Sequence, residues 1–322
     1  MRKKRLFIII LAAIPAAFLI WSEVPVLLRA DDIRSTGHNA IWLRHAWIGE
    51  PHAASAYDSL AARLKAMEIA DAYFHAGPLR ADGTVDPARY ENAAFLLAAL
   101  RERMPEAHLY AWLGQVEARA GGPLDLSSAA VRENIVQTAG LFLKLGFDGI
   151  HYDIEPIHSG NLDFLRLLAA TRKLTKRGHG LLSVAVNRPE PFPGVEFVAR
   201  HAATYPGYWR RDYYLTVAGH ADQIAVMTYD SGLYLPGLYS RLVAFITRWS
   251  VEKGVRDLRI GIPTYDDYTW SHFPPAENIR SGLRGFKLGL AGASQPLDCT
   301  VGAAIYAEWT TEEEEWRAFR HM

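Results

Sequence analysis

Phe147-Asp148-Gly149-Ile150-His151-Tyr152-Asp153-Ile154-Glu155-Pro156 alternates between apolar and ionisable side chains from Ile150 onward. Successive side chains of a strand point to opposite faces, so His151, Asp153 and Glu155 share one face and Ile150, Tyr152 and Ile154 the other. Three ionisable groups on one face are costly to bury unless partners or substrate meet them. A packed salt-bridge cluster is the plain structural alternative. The carboxylates come at the strand's exit, however, where a parallel sheet places its ligands.

Working outward, the same unit recurs on both sides: a short apolar strand, then an amphipathic helix. Strands are expected at Ala40 to Trp47, Asp71 to Ala76, His108 to Leu113, Phe147 to Ile154, Leu181 to Val186, Gln223 to Thr228, Leu258 to Ile262 and Val301 to Tyr306. Helices are expected at Ser55 to Ile69, Asp86 to Met104, Ser127 to Leu145, Leu162 to Lys176, Arg210 to Gly219, around Leu238 to Trp249, Ala276 to Lys287 and Thr310 to Phe319. Thr310 or Thr311 would cap the last helix, with the acids Glu312 to Glu315 in its first turn. Asn187 to Tyr208 is a long connection rich in Pro and Tyr, with Trp209 directly after it. Eight strand–helix pairs in alternation predict an α/β chain, a single-domain (β/α)8 TIM barrel over residues 37–322. A doubly wound sheet is the rival fold. It calls for a Gly-rich phosphate turn after the first strand, and Trp47 to Pro51 carries none.

The chain has 322 residues, half of them hydrophobic, with Lys plus Arg equal to Asp plus Glu at 35 each. This balance gives no electrostatic reason to seek nucleic acid. Cys299 is the single cysteine, so no intrachain disulfide forms; it reads as a small buried hydrophobe. Met1-Arg-Lys-Lys-Arg5 is followed by an apolar run from Leu6 to Trp21. Residues 1–30 therefore read as a signal peptide or signal anchor, with membrane contact at the N-terminus and the remainder outside the cytoplasm.

The fourth strand, Asp148-Gly149-Ile150-His151-Tyr152-Asp153-Ile154-Glu155, resembles the Asp-Gly-x-Asp-x-Asp-x-Glu signature of the family 18 glycoside hydrolases, the chitinase-like enzymes. Met227-Thr228-Tyr229-Asp230 resembles the family's sixth-strand motif, Trp309 its eighth-strand tryptophan, and Leu258 to Pro263 followed by Tyr265 its seventh strand. The resemblance implies a retaining hydrolase of an N-acetylhexosamine-containing polysaccharide that needs no cofactor. Glu155 would be general acid and then base, and Asp153 would orient the 2-acetamido group, which itself attacks the anomeric carbon. Tyr229 would bond the acetamido oxygen, Asp230 would help hold the sugar, and Trp309 would floor the site.

The departures are His151 where the family has Asp, and Trp112-Leu-Gly-Gln115 where it has Ser-x-Gly-Gly. His151 is expected to line the pocket as an imidazolium raised above its ordinary pKa by Asp153 and Glu155. Trp42, Trp47, Trp112, Tyr208, Trp209 and Trp270 offer faces for sugar stacking near the barrel's mouth. His45 and His75 also fall near strand ends, but Arg44-His45-Ala46-Trp47 lacks the His-x-His of metal-dependent barrels, so no metal is expected. A sugar-binding barrel without catalysis, and a glycosidase for sugars lacking an acetamido group, are the rival functions.

Overall fold

The computed structural model describes residues 35–202, 207–293 and 299–321. The leader expected at residues 1–30 lies outside the described residues. Among these, no helix is long and apolar enough to cross a membrane.

Eight parallel strands close a barrel. In chain order they are β1 (Asn39–Leu43), β2 (Ile69–His75), β3 (His108–Val116), β4 (Gly149–Glu155), β5 (Leu181–Val186), β8 (Gln223–Met227), β9 (Asp257–Pro263) and β10 (Thr300–Tyr306), with β1 pairing both β2 and β10. The expected (β/α)8 fold is the observed one. The long connection after β5 holds a small parallel pair, β6 (Arg188–Pro189) and β7 (Tyr208–Trp209). The helices are α1 (Ala46–Gly49), α2 (Ala54–Ala66), α3 (Ala93–Arg103), α4 (Ala129–Leu145), α5 (Leu162–Arg177), α6 (Val195–Ala202), α7 (Arg211–His220), α8 (Pro236–Glu252), α9 (Ile279–Gly292) and α10 (Glu313–Arg320).

The alternation along β4 sorts into two environments. Tyr152 faces outward, where its hydroxyl bonds Thr171 of α5 at 2.9 Å. His151 faces the barrel axis, where it meets Trp42 of β1 and Ser183 of β5. Helices start where a side chain satisfies an orphan amide: Ser128 caps α4, Asn161 caps α5 and Asn278 caps α9. Helices α8 and α9 pack at close range because Gly285 has no side chain; a Cβ there would meet the Ser240 carbonyl oxygen at 2.4 Å.

Several expected boundaries move. The first strand ends at Leu43, and α1 follows. The helix expected from Asp86 begins as a single 3-10 turn at Pro87–Arg89, with the Asp86 carboxylate accepting from Ala88 N–H, and α3 starts only at Ala93. The helix expected from Ala276 starts at Ile279, after the Asn278 cap. The last helix is capped by Glu312 in a reciprocal box with Glu315, not by a threonine. The hydroxyls of Thr310 and Thr311 are drawn to the Ala307 carbonyl and to Thr264 instead. Cys299 is half-buried at the edge of the core rather than fully inside it.

The inner axis is polar at its base. Asp71 and Arg259 form an ion pair with both side chains almost fully buried. Asp71 also accepts from Gln223 at 3.0 Å, and His108 Nδ1 lies 3.1 Å away. Burial alone would raise the Asp71 carboxyl, but His108 and Arg259 together hold it below its ordinary value.

Candidate active site

The floor of the site is a relay across the barrel. The Trp42 indole N–H donates to His151 Nε2 at 3.0 Å. An indole nitrogen only donates, so Nε2 must be the bare nitrogen and Nδ1 carries the proton. Nδ1–H then donates to Ser183 Oγ at 2.8 Å, and Ser183 donates to Gln223 Oε1 at 2.8 Å. The ring lies flat on Tyr73, centroids 3.9 Å apart. Burial pushes the His151 imidazole down to about 3, against a weak pull from Asp71. The expected imidazolium is therefore corrected to a neutral imidazole. Desolvation outweighs charge because His151 is wholly buried and its ring partners are aromatic and hydroxyl groups. It also lies beneath the pocket with no exposed surface, so it does not line the site.

Above this floor, Asp153 Oδ2 accepts the Trp112 indole N–H at 3.0 Å. Oδ1 is buried and has no hydrogen-bond partner among the described residues. Burial raises Asp153 to about 6, with the Trp112 bond working the other way. Gly114 lies opposite Asp153 in the β3–β4 register. A Cβ on Gly114 would sit 3.0 Å from the Asp153 carbonyl oxygen and 3.2 Å from the Trp112 indole nitrogen. The small residue is what lets this pair approach.

Glu155, at the end of β4, opens on a cavity of about 260 Å³ lined by Asn187, Arg188, Tyr229, Asp230, Trp270 and Ser271, among others. Burial raises the Glu155 carboxyl well above the usual carboxylate range; the charges of Asp153 and Asp230 raise it further, and Arg188 opposes them. Glu155 is thus biased towards its protonated form, beside a second carboxyl, Asp153, that burial also raises. Such a pair suits acid–base work on one substrate atom.

Tyr229 and Asp230 follow β8. The buried Arg188 guanidinium fastens them by donating to the carbonyls of Thr228, Tyr229 and Asp230, and to Gly207 from Nε. Asp230 adopts a left-handed backbone, φ 54°. Its carboxyl is raised, first by burial. The Tyr229 ring stacks on Tyr306 at 4.8 Å.

The structure thus brings Asp153, Glu155, Tyr229, Asp230 and Trp112 together, and leaves His151 below them. Trp309 is 40% exposed at the rim, its ring parallel to Trp112 at 6.3 Å. Trp270 is also at the mouth, 72% exposed. Trp42 and Trp209 are buried, so the expectation that they offer faces to a sugar is corrected: one holds His151, the other the Ile157 carbonyl. Trp47 packs on His52 and Tyr57. His75 is lowered to about 4 by burial, while His45 Nδ1 lies 2.9 Å from the His75 carbonyl oxygen. Sequence reading missed Tyr306 and Arg188. Tyr306 was within reach, as the final residue of the expected eighth strand; a lone arginine in a long connection carries no such signal.

No family model matches the chain, and no curated protein matches it in sequence. Solved structures do match in fold. The class V chitinase of Pseudomonas fluorescens Pf-5 superposes with a TM-score of 0.60 at 13% identity, over 88% of this chain and 98% of that one. The spore cortex-lytic enzyme SleL of Bacillus cereus gives 0.59 at 13% identity, over 88% and 74%. The Ostrinia furnacalis Group IV chitinase gives 0.51 at 19% identity, over 71% and 66%. At these identities the likeness establishes the barrel.

Proposed function

We propose that the chain is a retaining glycoside hydrolase that cleaves an N-acetylhexosamine-containing glycan, chitin-like or peptidoglycan-like, by substrate assistance. One observation carries the reading: a buried, partnerless Asp153 Oδ1 on the same strand face as Glu155, whose carboxyl burial pushes upward. An acceptor left bare in a closed site asks for a donor from the substrate. The acetamide N–H of such a sugar is that donor.

Glu155 gives its proton to the glycosidic oxygen as that bond breaks. The acetamido carbonyl oxygen attacks the anomeric carbon, while Asp153 accepts the N–H and supports the positive charge of the cyclic intermediate. Glu155, now a carboxylate, takes a proton from water as it opens that ring, and the configuration is retained after two inversions. Tyr229 donates to the acetamido oxygen, Asp230 helps hold the sugar, and Trp309 and Trp270 present ring faces at the mouth. The leader expected at residues 1–30 would place this barrel outside the cytoplasm, where such polymers lie. That two chitinases and a spore cortex-lytic enzyme share the fold supports the reading at the level of architecture.

The test is hydrolysis of N-acetylchitooligosaccharides and of purified peptidoglycan strands by wild type and Glu155→Gln. A loss in turnover of about 100-fold or more with binding retained is expected. Early proton NMR should show the product with the substrate's anomeric configuration. The inverted anomer would exclude substrate assistance. Binding without hydrolysis by wild type would leave a carbohydrate-binding barrel.

A further inference from the structure

Over the cavity, residues 264–278 fold against residues 229–234. Gly232 N–H donates to the Ser271 carbonyl at 2.7 Å, and the Tyr234 hydroxyl to the Trp270 carbonyl at 3.3 Å. Between the two segments lies a buried pair: His272 and Glu277 are each 1% exposed. His272 Nδ1 is 3.1 Å from Glu277 Oε2, and Nε2 is 3.1 Å from the Tyr265 carbonyl oxygen. Glu277 Oε1 takes the Ser231 amide at 2.9 Å and the Ser231 hydroxyl as well. A carbonyl only accepts, and a carboxylate only accepts. A neutral imidazole has one N–H, so one of its two contacts would face lone pair to lone pair. With Glu277 ionised, both are satisfied only when both ring nitrogens carry hydrogen.

We infer that His272 is a positioning residue, held as an imidazolium, that joins the Tyr265 backbone through Glu277 to Ser231 and so keeps Asp230 and Trp270 in place at the cavity. What the cavity binds rests on the glycan reading above; the joint itself does not. Asp230 is the residue before Ser231, and the buried Tyr265 hydroxyl lies beside its carboxyl, short of hydrogen-bond geometry. The other charges facing the joint are Asp230 itself and Arg188 from the connection after β5, with the Tyr265 and Tyr239 phenols beside them. Burial alone would lower His272; Glu277, the Tyr265 carbonyl and Asp230 outweigh it, and the net shift is upward. A folded pKa above the ordinary 6.5 means the joint is fully stabilising below pH 6.5 and is lost as pH rises through the folded value.

The experiment follows His272 by ¹⁵N NMR from pH 5 to 9 in the full chain. The Trp270 indole resonance, assigned with Trp270→Phe, reports loop position. Both His272 nitrogens should be protonated at pH 6 and titrate above 6.5. Trp270 should shift, and Tm should fall, with the same midpoint. Glu277→Gln is the decisive variant. Its amide can donate to a bare Nδ1 and still accept from Ser231, so the joint closes without the extra proton. In this variant Trp270 should hold its pH 6 position to pH 9. On a Glu155→Gln background, the Kd for chitotriose should weaken about 10-fold from pH 7 to 9, and stay within about 2-fold once Glu277→Gln is added. A His272 pKa below 6.5, or a Trp270 resonance that ignores His272 titration, overturns the inference. Chitotriose failing to bind at any pH, with Trp270 and Tm still following His272, supports the joint and refutes the glycan reading.

Discussion

The Trp42 indole nitrogen and His151 Nε2 are 3.0 Å apart, and this contact, with complete burial, fixes the imidazole as neutral. A second proton on His151 would point at a hydrogen already there. The ring is therefore the neutral Nδ1–H tautomer, bonded onward to Ser183. It braces the barrel from inside instead of supplying charge to Asp153.

His151 should accordingly show no titration between pH 5 and 8 by ¹⁵N NMR. Its folded pKa is depressed to about 3, so the unfolded chain binds the extra proton first. Stability is then full above the unfolded value of about 6.5 and falls as pH drops towards 3. His151→Ala should cost about 3 kcal/mol in urea denaturation at pH 7, from two lost hydrogen bonds and a cavity under Tyr73. A His151 pKa above 6.5 would contradict the tautomer.

The pH profile of turnover should be a bell. Its acid limb reflects ionisation of Asp153, near pH 6. Its alkaline limb, above the usual carboxylate range, reflects loss of the Glu155 proton. Because the groups interact, both limbs belong to the pair. The measurement is kcat from pH 4 to 9 on an N-acetylchitooligosaccharide. A profile flat up to pH 5 and falling from there would mean that Glu155 is an ordinary carboxylate and not the acid.

Trp112→Phe keeps the ring facing Trp309 but removes the only hydrogen-bond donor to Asp153 among the described residues. A hydrogen bond to a charged group contributes about 1.5–3 kcal/mol, so turnover should drop by about 10-fold or more. The acid limb should move to higher pH, since the lost bond favoured the carboxylate. An unchanged limb would show that Trp112 only packs.

Gly114→Ala places a methyl group against the Asp153 carbonyl and the Trp112 indole. One of the two must shift by a few tenths of an ångström. Stability should fall by about 1–3 kcal/mol and kcat by about 10-fold, with KM changed less. Wild-type kcat in a folded variant would mean the site tolerates that shift.

The barrel was legible because its signals are local. The two-residue alternation of β4 and the helical stripe within α8 can each be read from a dozen neighbouring residues, and eight such units leave few ways to pack. The carboxylates were legible for the same reason: Asp153 and Glu155 stand on one strand, two apart. The braces beneath the site come from distant strands. Trp42 meets His151 across 109 residues, and Gln223 meets Asp71 across 152. No window of sequence holds both members of either pair. The sign of the His151 shift depended on that meeting, because attraction to carboxylates and loss of water act in opposite directions and only the packed environment says which is larger. Backbone direction, likewise, put Tyr306 against Tyr229 and left Trp309 at the rim. Elements and their order follow from periodic burial, which a chain encodes residue by residue; partners and charge states follow from closure, which brings remote side chains to within 3 Å and removes the solvent between them.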